Sequence, residues 1–106
     1  MTMTVREVVD QWDTMDTDSL NTIGRGLLRE CTPLTLGTIQ NFQAEWDPSK
    51  GSYEDFRKAQ KDVVEQCVEM EISDVGRAVR ETLNREPLTW ETEIGDQKDD
   101  NPGSTP

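Results

Sequence analysis

Twenty-two carboxylates, two thiols and no histidine are the side chains that this 106-residue chain offers for chemistry. Without imidazole there is no Ser-His-Asp or Cys-His nucleophile, no HExxH zinc site and no histidine proton shuttle. Cys31 and Cys67 are too far apart for a CxxC pair and too few for a structural zinc site. They read as buried thiols of a reduced, intracellular protein.

The remaining catalytic options are weak. Neither GxxxxGK[ST] nor GxGxxG occurs, and Gly24-Arg25-Gly26 lies inside an apolar helical pattern. Asp62, Glu65 and Glu69 share a helical face at i, i+3 and i+7, a spacing that a metal could use and a solvated face uses more often. Asp47, Ser49 and Gly51 imitate a calcium loop, but the glycine falls one place early and no bidentate glutamate follows. A protein that is not an enzyme and holds no metal or cofactor is the expectation.

Charge is the more informative feature. Acidic residues outnumber basic ones 22 to 11, for a formal charge of -11. That excess opposes sequence-independent attraction to nucleic-acid phosphates or anionic lipid, so neither direct nucleic-acid binding nor membrane binding is expected. Residues 1–22 carry five acids against Arg6, and residues 86–106 carry six against Lys98. Carboxylates arrayed on rigid helices can imitate phosphate spacing and occupy the basic groove of a nucleic-acid-binding protein. Glu7, Asp10, Asp13, Asp16 and Asp18 at one end, with Asp62, Glu65 and Glu69, are the candidate partner-binding residues. Arg25 with Arg29, Arg57 with Lys58 and Lys61, and Arg77 with Arg80 make local positive spots, which acidic neighbours balance.

Those side chains must be positioned by helices. Thr4 with Glu7 forms a capping box for a helix from Val5 to Asp13 with Val5, Val8, Val9 and Trp12 on one face. A polar connection over 13–18 leads to a second helix with Leu20, Ile23, Leu27 and Cys31 in phase; Gly24 on that stripe implies tight packing or a kink, and Gly26 lacks even that reason. Thr32-Pro33 signals a third helix through Leu36, Ile39 and Trp46, although Leu34, Leu36, Phe42, Ala44 and Trp46 also alternate at period two, as a strand would. Ser52 with Asp55 opens the strongest helix, whose apolar side is read as Tyr53, Phe56, Gln60, Val63, Val64, Cys67 and Met70. Ser73 or Asp74 caps another, with Val75, Ala78, Val79 and Leu83 as its buried stripe. Trp12, Trp46 and Trp90 are expected to anchor the core.

The expected fold is therefore all-α: one compact bundle of four to five helices over residues 1–94, with one short extended segment near 88–94 and a flexible, disordered acidic tail over 95–106. No apolar leader or membrane span is visible, which leads to the expectation of a cytoplasmic protein. The functional expectation is a non-enzymatic module binding a protein with a basic surface, an inhibitor acting by phosphate mimicry. The competing expectation is a self-assembling homo-oligomer or adaptor driven by Trp, Leu and Gly24 surfaces.

Overall fold

The computed structural model describes residues 2–95; of the tail expected over 95–106, Gly95 instead ends a paired strand, and the rest lies outside the described residues. Among these, the chain forms five helical rods and one two-stranded sheet.

Thr2–Thr4 (β1) runs into α1, Val5–Asp10, through the capping box: the Glu7 carboxylate accepts from the Thr4 amide at 2.9 Å, and Thr4 Oγ1 accepts from the Glu7 amide at 3.2 Å. Helix α1 is shorter than its sequence suggests. It turns at Gln11, and Trp12 and Met15 are buried beyond its end.

The second rod is composite. Thr17–Ser19 (α2), capped by Asp16, passes into a π-helical turn, Leu20–Gly24, and then α3, Arg25–Glu30. Ile23, Gly24, Gly26 and Leu27 are all buried along this rod. A Cβ at Gly24 would stand 3.0 Å from Leu20 Cδ1 and 3.4 Å from Trp12 Cη2. Gly26 is buried two residues further on.

Pro33–Glu45 (α4) is helical, which resolves the period-two alternative; Thr32 caps it, and Thr35 and Ile39 face inward. Tyr53–Ile72 (α5) begins with the Ser52/Asp55 capping box and buries Arg57, Gln60, Val64, Cys67, Val68 and Glu71. Its buried side is thus rotated from the apolar reading: Tyr53 and Met70 are exposed. Asp74–Thr82 (α6) differs more. Val75, Ala78 and Leu83 point to solvent, Val79 is half-buried, and the positions turned inward are Gly76 and Arg80. Glu54–Lys58, Lys61–Glu65 and Arg77–Glu81 have the i,i+4 spacing of helical ion pairs, yet the ion pairs among the described residues are Arg80 with Glu30 and with Glu71.

The extended segment expected near 88–94 is a strand only at Glu93–Gly95 (β2), which pairs antiparallel with β1, Met3 opposite Ile94. Leu88 and Ile94 are buried, and the carbonyls of Thr92 and Trp90 accept from the Val5 and Arg6 amides at 2.8 and 3.0 Å. Those are first-turn donors that no intrahelical partner can reach. The core gathers Met3, Val5, Val8, Val9 and Trp12 with Ile23, Leu27, Ile39, Val64, Val68, Leu88 and Ile94.

Two buried arginines organise what the apolar residues do not. Arg57 on α5 donates from Nε to the Trp12 carbonyl at 3.1 Å and from Nη2 to the Trp12 and Met15 carbonyls, while Trp12 Nε1 donates to Gln60 Oε1 at 2.9 Å. The turn after α1 is thereby clamped to α5. Arg57→Met should leave both carbonyls without a donor in a dry site and lower stability by about 3 kcal/mol, read as a shift in the urea midpoint. An unchanged midpoint would show that solvent can replace the clamp.

Candidate functional site

The candidate acids occupy the outside of α1, α2 and α5 and the turn that this clamp ties to α5. Glu7 and Asp10 are exposed on α1, Asp13 is half-buried in the following turn, and Asp16 and Asp18 are exposed where α2 begins. Asp62, Glu65 and Glu69 are exposed on α5. With 100° per residue, they project opposite Gln60, Val64 and Glu71.

Geometry divides the eight into groups rather than one cluster. The turn bearing Asp13 and Asp16 is held at Arg57 and Gln60, in the N-terminal half of α5, and Asp62 stands at the middle of that helix. Glu69 is twelve residues beyond Arg57, about 18 Å along the helix at 1.5 Å per residue. Glu7 and Asp16 are also caps. Glu7 closes the α1 capping box, and Asp16 Oδ1 accepts from the Ser19 amide at 2.7 Å. The Ser19 bonds hold the Asp16 carboxyl below its ordinary value, so it is ionised at neutral pH. None of the eight forms an ion pair with a cation of the described residues.

The inward-facing carboxylate was not among the candidates. Glu71 is fully buried: its Oε2 accepts from the Thr32 amide at 2.8 Å, Thr32 Oγ1 at 2.7 Å and Thr35 Oγ1 at 2.6 Å, and its Oε1 accepts from Arg80 Nη1 at 3.0 Å. Burial pushes its pKa up, but the donors of Thr35, Thr32 and Arg80 outweigh burial and leave it below the usual glutamate value. Arg80, also buried, donates from Nε to the Glu86 carbonyl at 2.6 Å and from Nη1 to the Glu30 carbonyl at 2.6 Å, and its Nη2 reaches the Glu30 carboxylate at 3.2 Å. Every acceptor here is engaged and the carboxyl stays ionised. It is a structural joint between α3, α4, α5 and α6, unsuited to proton transfer.

The thiols are equally quiet. Cys31 and Cys67 are buried and unlinked, and burial pushes the Cys31 thiol up to about 11, leaving little nucleophilic thiolate at neutral pH. Among the described residues no three carboxylates or thiols converge into a metal-sized group, and no helix is long and apolar enough to cross a membrane.

Trp12 is a core residue, whereas Trp46 and Trp90 are only half-buried. Arg6 lies over the Trp90 ring at 4.9 Å. Trp46 joins Phe42, Tyr53 and Phe56 in an aromatic group at the α4–α5 turn, which the sequence signals only once the 47–52 turn is taken as a hairpin folding Phe42/Trp46 onto Tyr53/Phe56.

Comparison with known proteins gives no match to a family model, a curated protein or a solved structure.

Proposed function

We propose that this chain is a non-enzymatic binding protein whose acidic helical surface engages a protein with a basic surface, as an inhibitor that occludes a nucleic-acid-binding groove by phosphate mimicry. The observation that carries this reading is where the cations go. Among the described residues Arg57 and Arg80 are withdrawn into the interior with Glu71 as the one buried acid, so the surface of those residues is one charge more negative than their own net charge. The carboxylates outside stand on helices fixed by buried polar joints, so they present charge at set positions.

Occlusion by such a surface is steric and electrostatic. Association is steered by the field and slows as salt screens it over about 8–10 Å. A cytoplasmic setting belongs to the same proposal, and the unlinked thiols agree with it.

A salt-stepped pull-down from host lysate, repeated with Asp10→Lys combined with Asp62→Lys, tests the reading. Both positions are exposed, so the double variant should keep its urea midpoint within about 0.5 kcal/mol while losing a basic nucleic-acid-binding partner that the parent releases only at raised salt. Retention of that partner by the folded double variant would sink the proposal.

Self-association is a second reading, favoured by exposed Val75 and Leu83 on and beside α6. Gly24, expected on the assembling surface, is buried inside the domain, as is Leu27. A concentration-dependent mass, insensitive to salt and abolished by Val75→Asp, would favour assembly.

A further inference from the structure

The α4–α5 hairpin ends in four aromatic rings that the core does not absorb. Phe42 and Trp46 lie one turn apart at the end of α4, and Tyr53 and Phe56 open α5. The 47–52 turn sets Trp46 edge-on to Phe56 at 5.4 Å and stacks Phe42 and Tyr53 on Phe56 at 5.6 and 6.2 Å. Tyr53 is 55% exposed, and the other three are half-buried.

Trp46 forms a ridge between two depressions. One, of about 520 Å³, is lined by Trp46, Tyr53 and Phe56 with Pro48 and Gly51. The other is lined by Phe42, Glu45, Trp46, Asp47 and Lys50. Bonds from the Ser49 hydroxyl at 2.7 Å and the Ser49 amide at 3.0 Å keep the Asp47 carboxyl below its ordinary range, so it is ionised at neutral pH.

Ring faces with the ionised Asp47 carboxylate across the Trp46 ridge suit a cation with a flat, weakly hydrated face. The protein already uses this chemistry on itself, with Arg57 5.5 Å from the Tyr53 ring. A guanidinium stacks on the rings and directs its N–H groups to the carboxylate; a lysine ammonium, compact and strongly hydrated, does the second only.

We propose that the Trp46–Tyr53 pocket takes an arginine side chain from the basic partner, an inference that rests on the acidic-surface reading for the partner's charge. The occupant sits on the aromatic side of the Trp46 ridge with its guanidinium toward Asp47. The pocket thus adds side-chain selectivity to an attraction that charge alone leaves unselective.

The test titrates the full chain, with labelled indole nitrogens, against two glycine-spaced peptides of equal length and charge, one of arginines and one of lysines. The arginine peptide should bind about fivefold more tightly and move the Trp46 indole signal, assigned with Trp46→Phe. Tyr53→Ala, at an exposed ring, should remove the preference without loss of fold. Equal binding of both peptides with a stationary Trp46 signal overturns the pocket and leaves the acidic surface standing. Arginine binding undiminished by Asp10→Lys with Asp62→Lys supports the pocket and overturns the acidic surface. Binding of neither peptide overturns both.

Discussion

Gly76→Ala is expected to cost about 4 kcal/mol or more of folding stability, the largest effect of any single methyl added to this protein. A Cβ at position 76 would lie 2.2 Å from the Met70 carbonyl oxygen and 2.3 Å from that of Glu71. Both are backbone atoms at the end of α5, and neither can rotate aside. The close approach is set by Ser73, whose amide donates to the Glu69 and Met70 carbonyls while its hydroxyl donates to Met70 and accepts from the Gly76 amide. Relief of the clash requires α6 to move away from α5, which carries Arg80 off Glu71. Domains of this size retain about 5–15 kcal/mol in total, so the variant should be largely unfolded in low urea. Gly37→Ala is the control. It is exposed within α4, its Cβ would meet nothing within 4 Å, and it should gain about 0.5–1 kcal/mol from helix propensity. Urea unfolding followed by circular dichroism reads both, and a Gly76→Ala midpoint close to the parent's would refute the backbone contact.

Glu71→Ala should be nearly as damaging, at about 3–5 kcal/mol, because it leaves Arg80 buried beside two carbonyls and one half-exposed glutamate. The hydroxyls of Thr32 and Thr35 lose their acceptor in the same step. Replacing Arg80 as well, in Glu71→Leu with Arg80→Met, should recover only part of the loss, since the Glu86 and Glu30 carbonyls would then lack their donor. A double-mutant cycle measures that remainder. The same joint sets an acid limit. The folded pKa of Glu71 lies below the ordinary 4.5, so the unfolded chain binds its proton more readily than the folded one. Stability from this group is complete above about pH 5 and is lost as pH falls through the folded value. Glu71→Gln should flatten that acid slope, and an unaltered slope would assign it to Asp16 and Asp47, whose carboxyls are also held low.

Capping made the helices readable from sequence. Thr4 with Glu7, Thr32 with Pro33, Ser52 with Asp55, and Ser73 each act within three or four residues, so local chemistry fixes where α1, α4, α5 and α6 begin. Buried faces were harder, for a reason visible in α5 and α6. A periodicity reading places apolar residues inside and charges outside, yet Arg57, Glu71 and Arg80 take inward positions because each finds a complete set of partners on other elements. Once Arg80 points in, Val75 and Leu83 must point out. Partners 39 or 50 residues away, as for Thr32 with Glu71 and Glu30 with Arg80, leave no trace in local spacing. The acidic candidates were legible as exposed helical positions, but their separation along α5 depends on where the Arg57 clamp sets the α1 turn. The aromatic pocket was missed because its two halves flank the 47–52 turn, which reads only as an interruption.

The pairing of Thr2–Thr4 with Glu93–Gly95 gives the molecule a mechanical weak point. Thr2 stands opposite Gly95 at the outer end of a ladder of three pairs, so traction that separates these two residues opens the pairs one after another instead of shearing them together. Beyond the ladder, the next bonds in line are those from Val5 and Arg6 to the 90–92 segment, and their loss strips the first turn of α1 of its partners. The ladder closes the whole loop between Thr4 and Glu93, whose entropic cost must be met before its few hydrogen bonds can form. It behaves as a clasp on an already assembled body, and tethers attached outside it transmit tension to the edge of α1 before the arginine joints bear any.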